Sequence, residues 1–470
     1  MHVATKSSTS RTTHRPTRRR AGRLAAIAAL GASVFTAASV SSPAAPTAAA
    51  PVRAEGIACT PASSTRAGYA GYVLTAKEGT IQTPDGNSLW MWGYAAGNGA
   101  FQYPGPVLCV NEGDQVSITL RNTLPVRTSI QFMGIDSVLA NGEAAMAQFD
   151  GGGVLQSLTN DVGQGESIAY TFTAGRPGTY LYQSGNDPEL QVEMGLVGAL
   201  IVRPAMAVDT AGLPAGEAPL ARLAYDDQRT RYSSEHEYLV MLTELDPDLH
   251  YAVEEGNVLT SSMYQAAYTP RYFMINGRSF PDVIAPNGAK WLPNQPYGAL
   301  AHVEPVSAAN PLPALIRYLA VGGEPYPFHP HSNHEDVIAK DGRLLADTAL
   351  DDTPVDLSME KFAITVDPGS TIDALFTWQN VEDYSSTNPV PLPLPSANNL
   401  TEGDYWNGSP YLGENGALNP EVQGKNQCGE YYHVAHNHNL AEATNYGAAF
   451  GGQLTLIRVD PANATNCGNA

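Results

Sequence analysis

Glycine and proline interrupt this chain at short intervals, and this limits the folds that it can adopt. Its 470 residues include 44 glycines and 35 prolines, and both residue types interrupt helices while favouring tight turns. Between the turns, residues 116–120 and 168–172 alternate apolar and polar side chains with the two-residue period of a half-buried strand. The pattern predicts an all-β chain of stacked sheets with little helix.

Two β-rich regions are separated by a stretch of different composition. Residues 205–219 are rich in alanine, proline and glycine, and strand-like alternation resumes near residue 238. With 43% hydrophobic residues, the chain can bury more than one core. We therefore predict two β-sandwich domains, at 57–204 and 220–460, joined by a linker at 205–219.

One segment of the second region does not resemble a strand. Residues 379–427 are polar and rich in proline and glycine, and 389–395 read PVPLPLP. A loop of this length is usually a functional lid or an interface arm, or else disordered. The sequence predicts a long loop insertion here.

The first 50 residues have the composition of an export signal. Their charged residues are all basic, and the apolar run 24–40 follows them. Three arginines at 18–20 resemble a twin-arginine leader, and a general secretory signal is the alternative. Beyond this segment, no apolar run approaches the roughly 20 residues needed to span a bilayer. The mature protein is expected outside the cell or on the exterior of the cell envelope, without membrane insertion.

The charge of the mature chain excludes some partners. Removing residues 1–50 takes away seven basic residues and no acidic ones, which changes the formal charge from −20 to −27. Such a surface repels nucleic-acid phosphates, so we expect no nucleic-acid partner.

The four cysteines are expected to form disulfides, because export leads to an oxidising compartment. Three pairings are open. We favour Cys59 with Cys109 and Cys428 with Cys467, since each bridge would then lie within one predicted domain.

Histidines are concentrated at two places in the second region. Nine of the 11 lie beyond residue 50, and six of these nine fall within 329–334 or 433–438. Residues i and i+2 of a strand point to the same side, so each His-x-His pair can direct two imidazoles at one point. The spacing predicts a metal site with four ligands, His329, His331, His436 and His438. The alternative is a set of hydrogen-bonded histidines that hold no metal.

A second group of polar residues has a weaker pattern. His236 precedes a predicted strand, and Asp246, Asp248 and His250 follow it. We interpret this group as a solvated acidic connection rather than a metal loop. The chain also lacks a Gly-x-Ser-x-Gly elbow and a glycine-rich phosphate loop.

Several motifs together resemble the multicopper oxidase family, and the resemblance covers most of residues 65–459. These motifs follow the order and spacing of that family's cupredoxin domains. They are GPVLCVNEGDQV at 105–116, RNTLP at 121–125, DGG at 150–152, GES at 165–167, PGTYLY at 177–182, GLVGALIV at 195–202, INGR at 275–278, PFHPH at 327–331, DGR at 341–343, DPG at 367–369 and HNH at 436–438. The resemblance implies two cupredoxin-type Greek-key β-sandwiches.

The same resemblance shows which family copper ligands are missing. In the first domain, the family's His-Trp-His-Gly corresponds to residues 131–134, Gln-Phe-Met-Gly, and its His-Ser-His corresponds to 183–185, Gln-Ser-Gly. At the type 1 copper, Tyr326 replaces the first histidine and Asn437 replaces the cysteine. Glu442 falls near the second type 1 histidine. The four histidines named above match the remaining half of the three-copper cluster.

Three functions are compatible with this pattern. The first is an exported protein that binds copper, or zinc as second choice, through the residual histidines without ordinary laccase turnover. The second is an atypical copper-dependent oxidase, and the third is a copper-free structural or interaction protein of the same fold. Whether the chain is an enzyme stays open. Two-domain members of the family commonly assemble as trimers, so a homotrimer is also expected.

Overall fold

The computed structural model describes residues 54–257, 268–331, 333–348, 354–379, 431–448 and 451–460. These residues belong to one compact unit, Pro51–Ala470. The predicted export signal, Cys428, Cys467 and the predicted loop insertion after residue 379 lie outside the described residues.

The regular elements of the first half of the described chain are strands and one short helix. The strands are β1 (Ser64–Arg66), β2 (Tyr69–Gln82), β3 (Ser88–Ala96), β4 (Leu108–Asn111), β5 (Gln115–Asn122), β6 (Gln131–Phe132), β7 (Leu139–Ala140), β8 (Glu143–Ala144), β9 (Gln148–Phe149), β10 (Leu155–Ser157), β11 (Ser167–Thr173), β12 (Gly178–Gln183) and β13 (Val197–Arg203), and the helix is α1 (Pro188–Glu193).

These strands form the first sandwich. One sheet has the order β1-β2-β5-β11-β7-β8, with β3 paired to β2, and the other has the order β4-β13-β12-β6. Their facing side chains form one core, in which Ile118 of β5 and Leu200 of β13 are fully buried. A disulfide joins Cys59 to Cys109 of β4. This confirms the first predicted pairing.

The second half of the described chain repeats this composition. The strands are β14 (Ala221–Leu223), β15 (Arg231–Ser233), β16 (Glu237–Leu245), β17 (Tyr272–Ile275), β18 (Ala301–Val303), β19 (Ala314–Ala320), β20 (Tyr326–Pro330), β21 (Glu335–Lys340), β22 (Arg343–Leu344), β23 (Ala346–Thr348), β24 (Pro354–Asp356), β25 (Met359–Lys361), β26 (Ile364–Val366), β27 (Thr371–Phe376), β28 (Tyr431–Asn437) and β29 (Leu454–Val459), and the helices are α2 (Pro247–Glu254) and α3 (Leu440–Ala443).

The larger sheets of this half form the second sandwich. One has the order β17-β16-β19-β27-β21-β22, with β25 paired to β21, and the other has the order β18-β29-β28-β20-β26. Tyr318 of β19 and Phe328 of β20 meet in the core between them. The prediction of an all-β chain with little helix is confirmed for the described residues. The domain limits at 57–204 and 220–460 stay a prediction.

Local alternation located the individual strands well. Residues 116–120 lie in β5 and 168–172 lie in β11, each with the expected alternation of buried and partly exposed side chains. Within the described ranges, no helix has the length and hydropathy needed to cross a membrane.

A buried polar network joins the two sandwiches. Thr179 of β12 donates its hydroxyl to Asp373 Oδ1 of β27 at 2.6 Å, and Arg317 Nη1 of β19 donates to Thr179 Oγ1 at 3.0 Å. Arg317 also pairs with Glu237 at 2.8 Å. Burial alone would raise the pKa of Glu237, but Arg317 and Arg203 lower it to about 2. The buried charges are therefore paired, as their desolvation requires.

Candidate functional site

The pairing of β20 with β28 brings the two histidine pairs together. His329 and His436 are direct cross-strand partners in this antiparallel ladder. His331 lies just beyond the end of β20, and His438 just beyond the end of β28. The two-residue spacing places the second histidine of each pair on the same side as the first.

All four imidazoles lie in one cluster. The ring centre of His329 is 4.8 Å from that of His331, 5.9 Å from His436 and 5.4 Å from His438. The rings of His331 and His436 are 4.9 Å apart. The predicted convergence of the two His-x-His pairs is therefore present in the fold.

Backbone carbonyls orient two of the rings. His329 Nδ1 is hydrogen-bonded to the carbonyl oxygen of Phe362, and His436 Nδ1 is 2.7 Å from that of Asn437. A carbonyl only accepts, so each Nδ1 carries the hydrogen and each Nε2 keeps its lone pair. Metal-binding histidines commonly have this arrangement, because it fixes the tautomer and the ring orientation.

His331 and His436 are in direct contact. Their Nε2 atoms are 2.9 Å apart, and since His436 carries its hydrogen on Nδ1, His331 is the donor. A separation of 2.9 Å is that of an ordinary hydrogen bond between the two rings.

The electrostatics of the cluster favour neutral rings. Burial lowers the pKa of His331, and the neighbouring imidazoles, His436 first, lower it further. Burial likewise lowers the pKa of His436, with added repulsion from His329 and His438. Neutral imidazole is the form that binds metal.

The cluster does not form a finished metal site. As the side chains stand, the described part of the chain contains no group of three or more His, Cys, Asp or Glu residues that could hold a metal ion. The chemistry of the donor set still fits copper, because four imidazoles lie in one cluster and His329 and His436 keep the lone pair of Nε2. Metal binding would require His331 to lose the hydrogen that it donates to His436, and the rings would have to rotate. His331 and His438 are both exposed, which leaves room for this movement.

A hydrogen-bonded network surrounds Asn437, which stands where the resemblance places the type 1 cysteine. Asn437 is fully buried and its Nδ2 donates to Glu442 Oε2 at 2.5 Å and to Gln453 Oε1 at 2.8 Å. Its Oδ1 accepts from the backbone N–H of Asn439. Every polar atom of this amide has a protein partner, and none is left to bind a metal.

Tyr326, at the expected position of the first type 1 histidine, is also fully buried, and its hydroxyl donates to the carbonyl of Val321 at 3.2 Å. In the first sandwich, Gln131 of β6 pairs with Gln183 of β12. Met133 packs at the edge of a buried apolar cluster, as predicted for a core methionine.

The other singled-out histidines have different surroundings. His334 is exposed, and the ring of His433 lies 4.4 Å from that of Trp378. The interpretation of this group as a solvated acidic connection is wrong for Asp246 and His250, whereas Asp248 is exposed. Asp246 is a buried N-cap of α2, and His250 is fully buried. The α2 helix packs on β3, which sequence spacing alone did not reveal.

Known proteins were compared with the whole chain. Residues 75–207 match the sequence profile of the family described as multicopper oxidase. A laccase (abr2) of Aspergillus fumigatus is 30% identical over 151 residues, covering 31% of this chain and 22% of that protein. The multicopper oxidase VdtB of Byssochlamys spectabilis is 31% identical over 180 residues, covering 37% and 22%. Residues 75–207 are therefore similar to a multicopper oxidase domain.

Other similarities are more distant. A probable nitrite reductase-hydroxylamine oxidoreductase fusion protein of Kuenenia stuttgartiensis is 35% identical over 135 residues, covering 28% of this chain and 15% of that protein. The blue copper oxidase structure of Nitrosomonas europaea is 16% identical with a TM-score of 0.49, covering 85% of this chain and 88% of that one. These similarities add nothing about the site.

The matches cover a limited part of the relatives. The three sequence relatives are matched over less than a quarter of their own length. The two described sandwiches, with the profile match over residues 75–207, confirm the predicted cupredoxin-type fold.

Proposed function

We propose that this multicopper oxidase relative is an exported protein that binds copper through His329, His331, His436 and His438 and lacks ordinary laccase turnover. The observation that carries the proposal is the cross-strand pairing of His329 with His436, which gathers four imidazoles into one cluster. Zinc is the second choice of metal.

The residues around the cluster support binding without a blue copper site. Phe362 and Asn437 hold two rings by their carbonyls, and the lowered pKa values keep His331 and His436 neutral. Bound copper would supply one-electron redox chemistry. Asn437 provides no thiolate, so the usual electron path from a reducing substrate is missing.

One observation favours a second candidate, a copper-free protein that keeps the pocket as a relic. The 2.9 Å contact between His331 and His436 satisfies both nitrogens without a metal. The two candidates differ in one measurable property, the metal content of the purified protein.

The test is elemental analysis and electron paramagnetic resonance of protein purified without a metal-affinity tag and reconstituted with Cu(II). We expect bound copper, a spectrum of copper with nitrogen ligands, and no intense blue absorption. Replacing His329 and His331 together by alanine should remove half of the ligands and lower copper affinity at least tenfold. His334→Ala, an exposed histidine of the same segment, is the matched control.

The outcomes separate the candidates. If the double variant keeps full copper content, the histidines are not the ligands. If the wild type takes up no copper at neutral pH, the relic interpretation replaces the proposal. A strong blue band would require a cysteine thiolate that the proposal excludes.

A further inference from the structure

A second cluster of titratable side chains lies where the two sandwiches meet. We define this junction cluster as Glu193 at the end of α1, Glu244 on β16, His250 on α2, and Tyr268. The Tyr268 hydroxyl is 2.9 Å from Glu193 Oε2 and 3.3 Å from Glu244 Oε1. Both carboxyls are buried, with 5% and 2% of their surface exposed. One hydroxyl hydrogen therefore faces two buried carboxyls.

The donors around this pair are too few for two negative charges. Glu193 Oε1 accepts from the backbone N–H of Asp246 at 2.6 Å, and Glu244 Oε1 accepts from that of Gly323 at 2.5 Å. Glu244 Oε2 has no hydrogen-bond partner. Among the described residues, no lysine or arginine pairs with either carboxyl. Two unpaired carboxylates in this environment would be strongly destabilising.

His250 does not supply the missing cation as it stands. Its Nδ1 is 2.6 Å from the carbonyl oxygen of Trp90, so Nδ1 carries a hydrogen. Its Nε2 lies 3.6 Å from Glu193 Oε1 and has no hydrogen-bond partner. Glu193 has the better set of donors, with Asp246 and Tyr268 both close. Glu244 has the weaker set, because Tyr268 is farther from it at 3.3 Å and its Oε2 has no hydrogen-bond partner.

We propose that Glu244 binds a proton at neutral pH, that the carboxyl of Glu193, which shares the Tyr268 hydroxyl with it, keeps the proton in place, and that release of this proton weakens the junction between the sandwiches. The cluster is then a pH-sensitive element, because α1 belongs to the first sandwich and β16 to the second.

The surrounding charges agree with this assignment. Burial raises the pKa of Glu244, Glu193 raises it further, and the result is about 8 despite hydrogen bonds from Gly323 and Tyr268. The exposed Glu324 adds to the increase. Tyr103 is also close to the pair; burial raises its pKa most, and the carboxyls of Glu193 and Glu244 add to the increase.

The sign of the pH effect follows from linkage. The folded pKa of Glu244 lies above its unfolded value of 4.5. The contribution of this group to stability is therefore fully present below pH ~4.5 and is lost as the pH rises through about 8. Above that pH, two carboxylates face each other across the junction.

Infrared difference spectroscopy of the full chain between pH 6 and pH 9.5 tests the proposal. We expect a carbonyl stretching band of a protonated carboxylic acid that disappears with a midpoint near pH 8 and is missing in Glu244→Gln. The buried Glu335 contributes a separate band, since its pKa is about 7, and that band should survive the substitution. Glu254→Gln, a surface carboxyl of α2, is the control and should change nothing.

Two further variants move the midpoint in opposite directions. Glu193→Gln removes the facing charge and should shift the midpoint of the Glu244 band to lower pH. Tyr268→Phe removes a donor to the ionised form and should shift it to higher pH. These shifts test the proposal even if Glu244→Gln does not fold. In chemical unfolding between pH 5 and pH 8, the stability of the wild type should fall with a slope about one proton steeper than that of Glu244→Gln.

Three results would overturn the proposal. A band near pH 8 that persists in Glu244→Gln would place the proton on another carboxyl. The lack of any such band would mean that both carboxyls are ionised and that His250 is the cation. A metal ion in the purified protein that is lost in Glu244→Gln would make the cluster a cation site instead.

Discussion

Asn437 is the residue at which this chain departs most clearly from the copper chemistry that its sequence resembles. A buried amide with three hydrogen bonds replaces the expected thiolate, and Glu442 and Gln453 are its partners. Such a network is stabilising only while every member is satisfied, because an unpaired buried polar group keeps its desolvation cost.

Replacing Asn437 by leucine should lower the free energy of unfolding by ~1–3 kcal/mol, because Glu442 and Gln453 each lose a buried donor. Urea denaturation followed by tryptophan fluorescence measures this loss. Asn98→Ala, which removes only an exposed hydrogen bond to Arg121, should change the stability by less than ~0.5 kcal/mol. Equal losses in the two variants would mean that the network around Asn437 contributes nothing specific.

At the scale of elements, the turn between β21 and β22 of the second sandwich lies in close contact with β12 of the first. Gly342 in this turn has φ +66°, and a Cβ atom there would lie 2.5 Å from the ring of Tyr180 on β12. The position needs both the left-handed backbone and the missing side chain.

Gly342→Ala should therefore destabilise the protein by more than the backbone conformation alone explains. Gly113 is a matched control, with φ +84° and no atom within 4 Å of its Cβ position. We expect a loss of ~1 kcal/mol for Gly113→Ala and of ~2–4 kcal/mol for Gly342→Ala, since the latter also clashes with a buried ring. Thermal unfolding of both variants measures the difference. Similar melting temperatures would show that the turn and Tyr180 can move apart without loss of stability.

At the scale of the whole molecule, several large apolar side chains are exposed on both sandwiches. Met146 and Phe149 are 66% and 62% exposed on the first sandwich, and Phe362, beside His329, is 61% exposed on the second. Clusters of exposed apolar residues commonly mark contacts between proteins. They are compatible with the homotrimer expected from the family resemblance, which stays a prediction.

For a trimer, light scattering at micromolar concentration should give a mass close to three times that of one chain. One chain has a mass of 49.8 kDa before removal of the predicted export signal. Phe149→Asp should shift the assembly towards the single chain, because it places a charge within an apolar contact. Met206→Asp, at another exposed apolar position, should leave the mass unchanged. A single chain at every concentration would exclude the trimer.

The sequence by itself determined the all-β class, the positions of individual strands and the identity of the four clustered histidines. These features depend on local alternation and on the i, i+2 spacing, which a strand converts directly into side-chain direction. Other features required the tertiary structure, namely the pairing of His329 with His436, the amide network around Asn437 and the junction cluster. The histidine pairing and the junction cluster bring together residues far apart in the chain, and only the register of paired strands and the packing of one sandwich on another decide which of them meet. The partners of Asn437 are 5 and 16 residues away, and the fold decides that their side chains point at the same buried amide.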